Sequence, residues 1–169
     1  MKQFTTHASR LIFAAVAIMV MTAMASTAWG QLLFEENFSY TSGTLLVNNG
    51  WTAHSGAGTN SQLVTPYGLS YTGYVSSGIG LADSIVNTGE DVNRTYTAQT
   101  SGTVYASCLV KIDSASQTGD YFFHIGPSPI GSSFYDRVFV KRDASVGTTP
   151  SIAFGIMKNN GTPIVYSSF

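Results

Sequence analysis

From Leu32 onward, apolar and polar side chains alternate in short runs, and no run sustains the spacing of an amphipathic helix. Alternation with a period of two is the mark of a strand with one face turned to a core. "LLFEENFSY" (32–40) reads as a first strand. "TVYASCLVKID" (103–113) reads as a second, with Val104, Ala106, Cys108, Val110 and Ile112 on one face and Tyr105, Ser107, Leu109 and Lys111 on the other. "DYFFHIG" (120–126), "FYDRVFVKR" (134–142) and "SIAFGIMK" (151–158) follow. In the last of these Ile152, Phe154 and Ile156 face one way. "NNG" (159–161) is a hairpin signal, because Asn and Gly both tolerate positive φ, and "TPIVYSSF" (162–169) is the returning strand. Residues 42–90 are rich in Gly and Ser and read mostly as loop. In "NTGEDVNRT" (87–95), Asn87, Thr88 and Gly89 read as a turn into a strand whose face carries Val92, Arg94, Tyr96 and Ala98. Glu90 and Asp91, at the mouth of that strand, are the expected ionic partners of Arg94.

The first thirty residues follow other rules. Lys2 and Arg10 precede the apolar run "LIFAAVAIMVMTAMA" (11–25), and Ala28 and Gly30 place small residues before Gln31. This is the layout of a secretory signal peptide cut before Gln31. Thr22, Ser26 and Thr27 dilute the end of the run, which argues against a spanning anchor of about 20 apolar residues. The expected domains are thus a signal peptide over 1–30 and one β-domain over 31–169, with no membrane span once the signal is removed. After cleavage six Lys and Arg face nine Asp and Glu, a formal charge of −3. No basic patch remains for nucleic acid. The single cysteine, Cys108, cannot build an internal disulfide framework, and its place in an apolar stripe reads as core.

Three stretches, "EENFSYTSGTLLVNNGWTAHSGAGTNSQL", "YTGYVSSGIGLADSIVNTGEDVNRTYTAQTSGTVYASCLVKI" and "TGDYFFHIGPS", resemble an N-terminal module of secreted and surface proteins of Bacteroidetes-type bacteria. That module is similar to the concanavalin A-like lectin/glucanase (LamG-like) group. The resemblance implies an all-β, antiparallel two-sheet jelly-roll sandwich and export to the medium or the outer cell surface. Phe169 stops in or just after a strand, and about six strands are legible where a jelly roll has eight. The expectation is an incomplete domain that lacks its last strands. No C-terminal sorting domain is visible, which departs from the pattern of such exported proteins.

The residues weigh against catalysis. Glucanases of this fold carry Glu-x-Asp-x-x-Glu, which does not occur here. Glu35–Glu36 and Glu90–Asp91 are adjacent pairs, and neighbours on a strand point to opposite faces, whereas a glycosidase needs two carboxyl groups converging on one sugar. His54 lies in a Gly/Ser loop, His124 lies on a strand, and no G-x-S-x-G elbow accompanies them. No Cys/His spacing fits zinc and no EF-hand loop is present; no cofactor is expected, and Asp83, Asp91 and Asp120 are the candidates for a structural calcium. Sugar binding remains, since sugars stack on aromatic faces flanked by polar groups. Trp51, Tyr67, Tyr71 and Tyr74 fall in the loop-rich region and form the candidate carbohydrate platform; covering the edge of the core is the alternative for all four, and it claims Trp51 most strongly. The reading is a secreted or cell-surface non-catalytic module for adhesion or contact with a glycan or other surface polymer. Its alternatives are an accessory or degenerate glycoside hydrolase domain and a structural spacer of a longer surface protein.

Overall fold

A computed structural model describes residues 30–75, 77–132, 134–144, 151–159 and 164–168. The expected signal peptide and the Asn160–Gly161 turn lie outside the described residues, apart from Gly30. Two units partition the chain, Met1–Leu33 and Phe34–Phe169. In the first, Gly30–Leu33 has no regular secondary structure. Among the described residues the second is nearly all-β, with antiparallel pairing throughout and a single short 3₁₀ turn, Leu46–Asn49. This is consistent with a β-sandwich.

Strands β1 (Thr52–Ser55) and β4 (Asp91–Asn93) form one pair, and β2 (Leu63–Val64) and β3 (Asp83–Ser84) form another. Strands β5 (Asp120–Phe123), β6 (Arg137–Arg142), β7 (Ile152–Met157) and β8 (Val165–Tyr166) build a four-stranded sheet in chain order. The loop-rich region contributes more order than its composition suggests. Gly43 N–H donates to Val64 O, Val64 N–H to Thr44 O and Leu46 N–H to Gln62 O, at 2.8, 3.0 and 3.1 Å. These bonds hold Leu46 and Val64, the two largest fully buried side chains, against each other's segments.

The sheet's register is fixed best between β6 and β7, where Arg137 to Arg142 pair without a break with Met157 to Ile152. Ile152, Phe154 and Ile156 do alternate with Ala153 and Gly155, but the buried members of β7 are Ala153 and Gly155. The larger side chains Phe154 and Ile156 keep 41% and 64% of their surface exposed. The cause is Tyr166 on β8. It pairs with Gly155, and a Cβ on Gly155 would meet the Tyr166 ring carbons at 2.6 and 2.7 Å. The glycine is the floor on which the ring lies, and the Lys141 ammonium sits 4.1 Å from the ring's centroid on the same face.

Four readings need correction. Residues 34–40 form no strand: Glu36 Oε1 accepts the Phe38 N–H at 2.7 Å, and Phe38 takes a positive φ of 50°. A local side-chain bond has displaced the ladder. Residues 103–113 form no strand either, because no described backbone pairs with them. Cys108 is therefore exposed and not core. The expected strand 134–142 starts only at Arg137, since Asp136 adopts φ 45°, and 120–126 ends at Phe123, leaving His124 just beyond it.

If Tyr166 needs the bare backbone of Gly155, Gly155→Ala must push the ring off the sheet. We expect a loss of about 1–3 kcal/mol, read as a lower midpoint in urea unfolding with an unchanged slope.

Candidate functional site

The cluster "NTGEDVNRT" resolves into two polar joints. In the first, Gly89 has φ 143° and approaches so closely that a Cβ there would meet Thr59 O at 2.6 Å. Glu90 N–H donates to Thr59 O at 2.8 Å. The Glu90 side chain is buried; its Oε2 accepts Gly58 N–H at 2.9 Å and the Ser61 hydroxyl at 3.2 Å, and its carbonyl accepts the amide of Gln62 at 2.9 Å. Asp91, facing the other way, accepts the Ser55 hydroxyl at 2.5 Å. Each carboxylate thus holds a different segment.

The second joint corrects the expected partner of Arg94. Its guanidinium bonds Glu36 Oε2 at 2.7 Å, across 58 positions of sequence, and not its neighbours Glu90 or Asp91. The same Glu36 oxygen accepts the Tyr40 hydroxyl at 2.7 Å and the Trp51 indole N–H at 3.2 Å. Arg94 also donates to the Tyr40 oxygen at 2.8 Å. That bond, ahead of the Glu36 charge, pushes the guanidinium's pKa up; Tyr40 is raised too, first by desolvation and then by Glu36. Trp51 lies parallel to Phe38 and edge-on to Phe34, each with centroids 6.2 Å away.

A third cluster joins β1 to the four-stranded sheet. The His54 ring lies 6.2 Å from that of His124 and 6.1 Å from Phe134. His124 in turn meets Phe134 at 5.2 Å and Tyr121 at 6.2 Å. Arg137 stands over Tyr121 and Phe139 at 5.3 and 5.4 Å. The tautomer of His54 follows from Asn93. The Asn93 amide nitrogen donates to Thr52 O at 3.0 Å and approaches His54 Nδ1 at 3.3 Å, so Nδ1 is the acceptor and Nε2 carries the proton in the neutral ring. That Nε2–H is buried with no partner among the described residues, as is His124 Nδ1. The arrangement does not suit metal ligation through Nε2, which needs the proton on the other nitrogen. Among the described residues no group of three or more His, Cys, Asp or Glu could hold a metal ion. The titration of His124 is depressed by desolvation first and then by the charges of His54 and Arg137, with Asp91 opposing.

Of the calcium candidates, Asp83 on β3 is lifted to about 7, chiefly by desolvation and against the pull of the Ser84 backbone. Its Oδ1 is buried without a partner among the described residues. Asp91 is engaged with Ser55, and Asp120 accepts its neighbour Tyr121's N–H at 2.8 Å.

The four candidate aromatics separate. Trp51 is half-buried in the Phe34–Phe38 stack. Tyr67 and Tyr71, on the loop joining β2 to β3, are 78% and 69% exposed. Tyr74, on the same loop, is half-buried, with its hydroxyl 3.0 Å from that of Ser107. The loop is internally bonded: Tyr74 N–H reaches Tyr71 O at 3.1 Å, Gly78 N–H reaches Leu69 O at 3.0 Å, and Tyr71 N–H reaches the Ser77 hydroxyl at 2.6 Å. A separate pocket at the end of β6 and β7 is lined by Asp136, Arg137, Val138, Ile156, Met157 and Lys158, and includes none of the four aromatics.

Compared with protein-family models, curated proteins and solved structures, the chain matches none. Among the described residues no helix is long and apolar enough to cross a membrane. Sequence reasoning missed Glu36 and the His54–His124 contact. The adjacent aromatics Phe34, Phe38 and Trp51 were the available signal for the first; nothing local marks the second.

Removing Glu36 strands three side-chain donors and a backbone N–H, whereas removing Arg94 leaves most of them satisfied. Glu36→Ala is expected to cost about 2–3 kcal/mol and Arg94→Ala about 1 kcal/mol, measured by urea unfolding. Equal costs would show that the ion pair, not the carboxylate, governs the joint.

The histidine cluster predicts a pH dependence whose sign is fixed. Because the folded His124 titrates below the ordinary value of 6.5, the unfolded chain binds the proton more readily. Stability is full above that value and falls as pH drops through it toward the depressed one. His124→Phe is expected to remove this component of the slope when melting temperature is followed from neutral to mildly acidic pH.

Proposed function

We propose that this protein is an exported, non-catalytic β-sandwich module of the jelly-roll, concanavalin A-like kind, and that it contacts carbohydrate or another surface polymer through the loop between β2 and β3. The observation that carries this reading is the display of Tyr67 and Tyr71. Both rings stand open to solvent on a loop whose backbone is tied to itself. A ring held out by an ordered loop offers a stacking face with little entropy left to lose on binding. Tyr74 and Ser107 supply hydroxyls; Trp51 serves the interior, so the platform is one of tyrosines.

The non-catalytic part is supported by the engagement of the adjacent pairs, Glu35–Glu36 and Glu90–Asp91, in structural bonds. Glu36 binds Arg94, Tyr40 and Trp51, Glu90 is buried in a loop clasp, and Asp91 holds Ser55. Export is supported by the pattern of residues 1–30.

Affinity electrophoresis through gels containing different polysaccharides tests the reading, using protein recovered outside the cell and shown by mass spectrometry to begin at Gln31. At least one polysaccharide is expected to retard it. Tyr67→Ala or Tyr71→Ala should each weaken retention about five- to tenfold, corresponding to about 1–1.5 kcal/mol per ring, with unfolding midpoints unchanged. Undiminished retention in the double variant, or mobility unaffected by every polysaccharide, would reject it.

A further inference from the structure

The segment Thr103–Asp113 has the alternation of a strand and none of its hydrogen bonds. It runs without turn or bend from 103 to 112, and its backbone is bonded to no described residue. Among the described residues its polar side-chain contacts are the Tyr74–Ser107 hydroxyl pair and, within the segment, an ion pair between Lys111 and Asp113 at 2.7 Å; Leu109 and Ile112 are half-buried. Val104, Tyr105, Cys108 and Val110 are exposed, Tyr105 by 88%. An extended segment with free N–H and C=O groups and a partly exposed apolar stripe, its Val104 and Val110 open by 37% and 43%, is a template for another strand.

The sequence of the segment says which strand fits. One of its two faces, Val104, Ala106, Cys108, Val110 and Ile112, is nearly symmetric about Cys108. Antiparallel pairing with an identical segment about that residue opposes Val104 to Ile112 and Ala106 to Val110 on one face. On the other face it opposes Tyr105 to Lys111 and Ser107 to Leu109. Charge selects the same orientation. A parallel, in-register pair would set Lys111 against Lys111 and Asp113 against Asp113, like charges directly opposite, which destabilises. The antiparallel pair moves these charges to opposite ends, with Lys111 beside a tyrosine and Asp113 beside Thr103. The arrangement is two-fold, so each copy satisfies the other with the same surface.

We propose that residues 103–113 become a strand on association, two copies of this chain pairing antiparallel about Cys108. Eleven residues span about 35 Å, and such a ribbon falls below the size of a standard interface, so the dimer is a weak one with a dissociation constant in the range of about 1–100 µM.

Sedimentation velocity across that range tests this, with the complete chain as it is recovered. The expected result is a monomer–dimer equilibrium that either Tyr105→Pro or Ala106→Pro weakens at least tenfold: alternate N–H groups of an antiparallel ladder face the partner, so one of the two prolines takes a donor from it, and neither takes one from the monomer, whose circular dichroism should stay unchanged. The register is tested in a Cys108→Ala background. A mixture of Ala106→Cys and Val110→Cys proteins is treated with oxidised glutathione. One cysteine thiolate attacks the glutathione disulfide and expels a glutathione thiolate; the second cysteine thiolate then displaces the other glutathione, closing the cross-link. The mixed pair should cross-link at least tenfold faster than Ala106→Cys alone, whose sulfurs would lie about 14 Å apart along the ribbon. A monomer at every concentration, two proline variants that both dimerise like the parent, or equal cross-linking in the two cysteine experiments would each overturn the proposal.

Discussion

One carboxylate organises the N-terminal half of the domain. Glu36 accepts hydrogen bonds from the Arg94 guanidinium, the Tyr40 hydroxyl, the Trp51 indole and the Phe38 amide. No strand holds residues 34–40 in place. Their position instead rests on this convergence, which also brings Phe34 and Phe38 onto Trp51. A carboxylate half out of water needs its donors, and the donors, two of them on large aromatic side chains, need it. With Leu46, Val64, Phe139 and Ala153 as the buried apolar residues among those described, polar joints of this kind carry weight that a larger core would otherwise take.

The C-terminal sheet was legible from the chain because its signals are local. The alternation in 120–126, 134–142 and 151–158 became β5, β6 and β7, and part of the expected returning strand became β8, antiparallel to β7. Which face of β7 turns inward was not legible. That depended on Tyr166 lying over Gly155, a cross-strand fact. Residues 103–113 show the reverse limit: alternation announces a capacity to pair, and pairing needs a second backbone. Residues 34–40 failed as a strand for another reason, since Glu36 offered the Phe38 amide a nearer acceptor.

The candidate site was legible to the same extent. Four aromatics could be picked out by their place in a polar loop region, but their exposure could not. Trp51 turned inward because three groups from residues 34–38 were there to receive it, whereas Tyr67 and Tyr71 found no such lining. The ionic partner of Arg94 stood 58 positions away while two carboxylates stood close by; proximity in sequence was a poor guide because Glu90 and Asp91 were already committed to other loops. The histidines met through the packing of β1 against residues near β5, which no short window contains.

The length of the Glu36–Arg94 joint bears on the order in which the domain can assemble. A chain emerges from its N-terminus, so Glu36, Tyr40 and Trp51 are all present before Arg94 has been made. Until then the carboxylate has only neutral donors, and β1 lacks β4, whose residues immediately precede the arginine. The Glu36 joint can therefore close only after Arg94 has been made, a delay that loop-closure entropy makes tolerable and that leaves the first part of the domain pliable during synthesis.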